Sequence, residues 1–313
     1  MIDIIIVNWN SGKLLSSCIK SIEENNIEEV NRIIVVDNNS IDGSEKIESK
    51  TNQLIVVRNQ KNLGFGKSCN IGSEYSNSDF MLFLNPDTVL FPNTLKEIKK
   101  YMKRKMNSKV GIAGIQLLDE EGDIHRHSSI FPNAIRFFLR STGLHKIFLS
   151  LDHVLTNWDH NDTREVSHVI GAFFFVRKEL FKTLNGFDER FFVYLEDLDF
   201  SVRASKIGWK THFVSSLQSM HVAGGTSRQI KATRLFYSLR SRIIYSYKHF
   251  SFFGATAILL SVLLIEPLSR VAFSVKELSI KSLKNLLQTY VLLFKWLSSW
   301  MTASFKEYFS KEI

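Results

Sequence analysis

Phe80-Met81-Leu82-Phe83-Leu84-Asn85-Pro86-Asp87-Thr88 holds five apolar residues in an unbroken run that stops at Asn-Pro-Asp. A short continuous apolar run closed by turn residues predicts a strand buried on both faces. Pro86 has no N–H to give a sheet ladder, so the strand is expected to end there. Asp87 then stands at the carboxyl end of a central strand, where open α/β sheets bind their ligands.

Working outward, three more short apolar runs precede it: Ile4–Val7, Arg32–Val36 and Leu54–Val57. The first ends at Asn8-Trp9-Asn10-Ser11-Gly12, the second at Asp37-Asn38-Asn39-Ser40, the third near Asn59 and Asn62. Between them, Leu14, Leu15, Cys18, Ile19 and Ile22 recur at helical spacing, and Gly64-Phe65-Gly66 opens a further helix carrying Asn70 and Gly72. Downstream, Val110–Leu117, Val169–Arg177 and Lys210–Val214 are predicted strands, and Glu196 to Ile207 a helix. Strands alternating with helices predict an α/β fold, a mostly parallel sheet flanked by helices. The stretch 119–165 is irregular, and segments of that length are often functional loops. Within it Arg126 and His127 are candidates for phosphate or acceptor contacts.

Taken singly, each polar position has a bland and a sharp reading. Asp37 suits a ribose or base contact, and equally an Asx-turn. Gly64 resembles a phosphate-cradling turn without the full glycine fingerprint, and equally a plain strand-to-helix turn. Asn70 fits capping or solvent exposure. Glu196 and Asp197 lie at a helix N-terminus, whose dipole favours carboxylates as cap or as catalytic base. His221, just before Gly224-Gly225, is a structural histidine or part of a metal site. Gly171-Ala172 leaves room for a ligand near the backbone.

The order of these motifs is more specific than any one of them. Val36-Asp37-Asn38-Asn39-Ser40 with Asp42-Gly43-Ser44, Asn62-Leu63-Gly64-Phe65-Gly66 with Asn70, Asn85-Pro86-Asp87, Gly171-Ala172, Gly186-Phe187-Asp188-Glu189 with Glu196-Asp197, and His221 with Gly225 and Ser227 follow one another along the chain. The series resembles family-2 glycosyltransferases of the GT-A fold, in particular the rhamnosyltransferase-like branch, over residues 2 to about 230. The resemblance implies an inverting, metal-dependent sugar transfer from a dTDP- or UDP-sugar, with dTDP-rhamnose first, to a saccharide acceptor, possibly polyprenyl-diphosphate-linked, in surface polysaccharide synthesis. It implies that Asn8, Asp37, Asn38, Gly64, Asn70, Asn85, Asp87, Gly171 and Ala172 bind the nucleotide-sugar. Asp87 and His221 would hold Mg²⁺ or Mn²⁺, with Asn85 where the family usually has an acid. Asp197 would be the catalytic base, with Glu196 beside it as positioner or alternative base. Cys69 stands where many relatives carry Arg, which weakens the transfer of nucleotide contacts around Asn70. The alternative is a non-catalytic nucleotide-sugar- or polysaccharide-binding protein, or a membrane scaffold, on the same fold.

Composition adds an asymmetry. Residues 1–227 carry 27 Lys and Arg against 27 Asp and Glu, whereas residues 228–313 carry 13 against 4. The whole excess of +9 thus sits in the last quarter. That quarter is apolar and aromatic as well, with Phe250–Ile265 free of charge. Residues 1–230 are therefore expected to form the catalytic domain, nucleotide-sugar binding in about 1–118 and acceptor and base in about 119–230. Residues 231–313 are expected to form a helical tail. Basic amphipathic helices suit an anionic membrane surface, here through residues 240–301, while packed helices or a dimer interface are the alternative. No nucleic-acid-binding module is recognisable, so no nucleic acid partner is expected. Met1–Val7 lacks a basic n-region and a cleavage site, and two lone cysteines fit a reducing compartment. The expected location is cytoplasmic, peripheral on the inner face of the cell membrane.

Overall fold

The structure is a computed structural model that describes residues 1–47, 49–144, 154–155, 158–222, 231–276 and 279–310. Its strands are β1 (Ile2–Asn8), β2 (Val30–Asp37), β3 (Leu54–Arg58), β4 (Phe80–Leu84), β5 (Thr88–Leu90), β6 (Val110–Leu118), β7 (Arg164–Val166), β8 (Phe173–Arg177) and β9 (Lys210–His221). The helices are α1 (Lys13–Asn25), α2 (Phe65–Glu74), α3 (Thr94–Lys103), α4 (Ala134–Thr142), α5 (Lys178–Thr183), α6 (Glu196–Lys206), α7 (Lys231–His249), α8 (Phe252–Leu260), α9 (Glu266–Lys276) and α10 (Ile280–Ser310). The chain divides into two compact units, residues 1–132 with 152–226, and residues 133–151 with 227–313.

In the first unit the sheet order is β3-β2-β1-β4-β8-β6-β9-β5, with β7 on β9. β1, β2, β3, β4, β6 and β9 run one way; β5, β7 and β8 run against them. β4 has the predicted bounds and is buried along its length. Its residues alternate between two cores, Phe80, Leu82 and Leu84 facing α1, and Met81 and Phe83 facing α2, α5 and α6. An unbroken apolar run is what a strand covered on both faces requires. Phe83, Phe174, Phe181, Phe187 and Phe200 pack ring against ring on the second face.

Two expected strands change length. β8 begins at Phe173 rather than Val169, because Gly171-Ala172 turn across the end of β4 and Asn85 N donates to the Ala172 carbonyl (3.1 Å). β9 runs on from the expected Val214 to His221, where its end pairs with β5: Thr88 opposes His221. That pairing was not legible in the sequence, since Thr88–Leu90 is three residues long and follows a proline.

The second unit contains α4 and α7 to α10. The boundary expected at residue 230 therefore differs: Phe137 and Leu139 of α4 are buried, and α4 packs with α8 and α9. The apolar run expected over Phe250–Ile265 is part of a longer helix, in which α8 passes through the π-helical turn Ser261–Ile265 into α9. Pro267 does not stop it. In π geometry the missing Pro267 N–H would have met the Val262 carbonyl, and the Tyr290 hydroxyl donates to that oxygen instead (2.8 Å).

Candidate active site

Four strand ends and one helix start meet on one edge of the first unit. At the end of β1 the Asn8 amide donates to Asp37 Oδ1 (2.8 Å), Ser44 Oγ (3.0 Å) and Ser40 Oγ (3.2 Å). Asp37, at the end of β2 and 2% exposed, also accepts from Ser40 N (3.1 Å). Asn38 ties this loop to the next one: its amide donates to the Gly64 carbonyl, and its Oδ1 accepts from Ser68 Oγ (2.8 Å) and Asn59 Nδ2 (2.9 Å). The turn reading of Asp-Asn-Asn-Ser is therefore realised, and the serine and asparagine partners fix the rim on which a nucleotide would rest.

Gly64 and Asn70 have other partners than the expected nucleotide. Gly64 has φ 87°, and a Cβ there would lie 2.2 Å from the Phe192 carbonyl oxygen. Its glycine is required by close approach of the 191–192 backbone, whose carbonyl also accepts from Phe65 N. The Asn70 amide is spent on both sides of Phe187, donating to its carbonyl (2.8 Å) and accepting from its N–H (2.9 Å). Asn70 thus clamps the Gly186–Glu189 loop. The neighbouring Cys69 is buried, and burial, then the nearby Glu196 and Asp197, push its thiol well above the usual range.

β4 delivers Asn85, half-buried, and Asp87, 8% exposed. β9 delivers His221, 6% exposed, with Nε2 3.2 Å from Asp87 Oδ1, and Val222 N donates to the Asp87 carbonyl. Among the described residues, neither ring nitrogen of His221 has a hydrogen-bond partner. A buried imidazole without hydrogen bonds, facing a carboxylate, is a donor pair suited to a divalent cation. Among the described residues no group of three or more His, Cys, Asp and Glu converges. A cation held here would therefore complete its shell with phosphate oxygens and water, as hard cations do. Gly225 and Ser227, expected beside His221, lie outside the described residues.

On the facing side, α6 begins with Glu196 and Asp197. Asp197 Oδ2 accepts from Gly171 N (2.7 Å), its Oδ1 from Leu198 N (2.8 Å), and His168 Nε2 stands 3.8 Å from Oδ2. Gly171-Ala172 therefore touches both halves of the site, Asp197 through one N–H and Asn85 through one carbonyl. Glu196 differs from its neighbour: it is 5% exposed, and among the described residues Oε2 has no hydrogen-bond partner. Burial, then the nearby Asp197 and Asp199, push its carboxyl well above the usual range. Tyr194 and Leu195, immediately before α6, have φ of 70° and 66°. Left-handed backbone at two such residues is unusual and belongs with sites that over-determine their geometry.

His168 and the row of rings His221, His125, His127 and His160, with centroids 5.9 to 6.1 Å apart, were not singled out as a group from the sequence. Isolated histidines far apart in a chain carry no spacing signal. His127 is buried, with Nε2 donating to the Ile115 carbonyl (3.3 Å), so the expected acceptor contact at His127 becomes a structural one. Arg126 lines an open cleft of about 450 Å³ with Asp123, Asp159 and Asn161.

The family model described as "Glycosyl transferase family 2" matches residues 3–184. The rhamnosyltransferase WbbL of Escherichia coli (strain K12) is 28% identical over 191 residues, 58% of this chain and 69% of that protein. An N-acetylglucosaminyl-diphospho-decaprenol L-rhamnosyltransferase of Mycobacterium tuberculosis (strain ATCC 25618 / H37Rv) is 24% identical over 208 residues, 60% of this chain and 66% of that protein. The chain aligns with about two thirds of the length of these curated relatives. The mannosyltransferase PcManGT from Pyrobaculum calidifontis, solved in complex with GDP-Man and Mn²⁺, has a TM-score of 0.54 and 15% identity, over 96% of this chain and 83% of that one. At that identity the likeness shows the fold, which is of the GT-A type.

Proposed function

The chain belongs to glycosyltransferase family 2, and on that premise we propose that it moves a sugar, with inversion, from a nucleotide-sugar to a saccharide acceptor. The observation that carries the reading is the Gly171-Ala172 bridge, which accepts from Asn85 N on the β4 side and donates to Asp197 on the α6 side. One donor diphosphate and one acceptor hydroxyl would meet across it.

Asp197 acts as general base. The acceptor oxygen bonds to the anomeric carbon, the bond from that carbon to the diphosphate oxygen breaks, and the hydroxyl proton passes to Asp197. Glu196 supports the start of α6 from a buried position, and Asp197, with two N–H donors on its carboxylate, is the acid we assign to the proton transfer. The nucleoside rests on the Asn8–Asp37–Asn38 rim, and the diphosphate lies at Asn85 and Asp87. Asp87 and His221 would hold Mg²⁺ or Mn²⁺, which when bound offsets charge on the departing diphosphate. The role of His168 is to stand against the same Asp197 oxygen as Gly171 and keep that carboxylate turned toward the bridge.

The donor we favour is dTDP-rhamnose, with UDP-hexoses second, since the curated relatives above are named as rhamnosyltransferases. A lipid-linked saccharide acceptor in surface polysaccharide synthesis follows from the name of the mycobacterial relative and from the apolar helices of the second unit. Both agree with a peripheral location on the cytoplasmic membrane face. The test is a thermal-shift series with dTDP- and UDP-sugars, with and without Mn²⁺, followed by turnover on a polyprenyl-diphosphate saccharide. Metal-dependent stabilisation by one nucleotide class together with sugar release is expected. Binding without any turnover would favour the non-catalytic alternative, and no binding at all would remove the donor site.

A further inference from the structure

The continuous helix through α8 and α9 is apolar on both faces and buries its acid. Phe253, Leu260, Leu264 and Leu268, at 83%, 51%, 61% and 71% exposure, follow one another along its outer face. The face turned into the unit carries Ala255, Ile258 and Val262 and, with them, Ser261 and Glu266, 1% and 2% exposed. Glu266 accepts there from Arg242 Nη1 and Arg270 Nη2, each at 2.7 Å. A helix in water hides its leucines and shows its acids. Apolar residues outward with ion-paired polar residues inward is the arrangement expected against hydrocarbon.

Phe252–Ala272 is long and apolar enough to cross a bilayer by length and composition. Its neighbours argue for a different disposition. α10 runs beside α7 in the same direction: Thr289 Oγ1 donates to the Ala232 carbonyl (3.0 Å), Arg240 lies 5.5 Å over the Trp296 ring, and Tyr247 and Trp300 rings are 5.4 Å apart. The long helix packs alongside both, through Tyr290 to Val262 and Tyr247 to Thr256. Crossing would therefore carry α7 across too, with Lys231, Arg234, Arg240, Arg242 and Lys248, and cations at mid-bilayer are strongly unfavourable. In the membrane plane the same residues fit. α10 exposes Leu287, Val291 and Phe294 beside exposed Lys284 and Lys295. Residues 228–313 hold 13 Lys and Arg against 4 Asp and Glu, complementary to anionic headgroups.

We propose that the outward face of Phe252–Ala272 is a lipid-docking face, seated in the plane of an anionic bilayer surface and not crossing it. The inference rests on the second unit alone and stands whether or not the catalytic reading holds.

The test uses the full chain and vesicles of phosphatidylglycerol with phosphatidylcholine, against vesicles of phosphatidylcholine alone. The protein is expected to float with the anionic vesicles. Leu260→Gln, Leu264→Gln and Leu268→Gln combined should weaken that association at least about tenfold, since each removes apolar area from the contact, while the melting profile is unchanged. Single cysteines at Ser251→Cys and Lys281→Cys, bracketing the helix, should both react with an impermeant maleimide added outside; the native Cys18 and Cys69 are buried. Labelling of one end only would overturn in-plane seating in favour of a span. Failure to float with anionic vesicles, or a dimer in solution that the leucine substitutions dissociate, would overturn the lipid assignment. Should the triple variant lose its fold, flotation and labelling of the chain with leucines intact still decide.

Discussion

At the residue scale, two adjacent acids divide the work through their surroundings. Asp197 receives N–H donors from Gly171 and Leu198, whereas Glu196 is buried with an oxygen that has no hydrogen-bond partner among the described residues. Asp197→Asn is expected to abolish turnover while leaving donor-induced stabilisation intact, as read by a product assay beside a thermal shift. Glu196→Gln should retain most turnover, which separates the two acids directly. It should also change the pH dependence of stability in a set direction. The native carboxyl titrates well above the unfolded one, so above about pH 4.3 the native state keeps a proton that the unfolded chain has released. Stability at this group is greatest below that pH and falls as pH rises toward the native value; Gln should flatten that fall in denaturant titrations between acid and neutral pH. The sequence made the pair visible at a helix start but could not rank them, because burial of one and exposure of the other depends on Gly66, Gly171 and Phe65, far away in the chain.

At the element scale, β4 was legible because five apolar residues and a proline leave few options. The pairing that brings His221 beside Asp87 was not, because it passes through three-residue β5 and the unexpected length of β9. The continuation of α8 into α9 was hidden by Pro267, which in isolation signals a helix end. The π turn and the Tyr290 hydroxyl together remove that obstacle. Tyr290→Phe would leave the Val262 carbonyl buried without its donor, and a loss of about 1–3 kcal/mol is expected, measured by thermal denaturation of the full chain. Little or no loss would mean that water or a shifted backbone replaces the hydroxyl.

At the scale of the whole molecule, the first unit carries an acid-sensitive core. Burial holds His127 well below its ordinary range, reinforced by His125 and His160, and burial lowers His125 and His160 as well. His160 is satisfied as a neutral ring, with Nδ1 donating to the Trp158 carbonyl and Nε2 accepting from Ser128 N. The unfolded chain takes protons at these rings below about pH 6.5 and the native state does not. Stability is therefore complete above that pH and is lost as pH falls through it. Urea titrations from pH 7.5 to about pH 5 should show the decline, and His127→Phe should reduce its slope; an unchanged slope would mean that other groups govern it. Order along the chain announced the family and its six motifs, but gave no sign that four histidines stack in a row.

The assignment of Ala134–Thr142 to the second unit has a consequence for biosynthesis. That helix leaves the ribosome roughly a hundred residues before the segments it packs on, since chains emerge in order. Until they arrive, Phe137 and Leu139 lack the packing that α8 and α9 supply, and a fragment cut after residue 230 would never gain it. Trimming the chain to its glycosyltransferase portion should therefore give a stickier product than the whole, and a secreted or recombinant shortened form would be better made by grafting out residues 133–151 together with the tail.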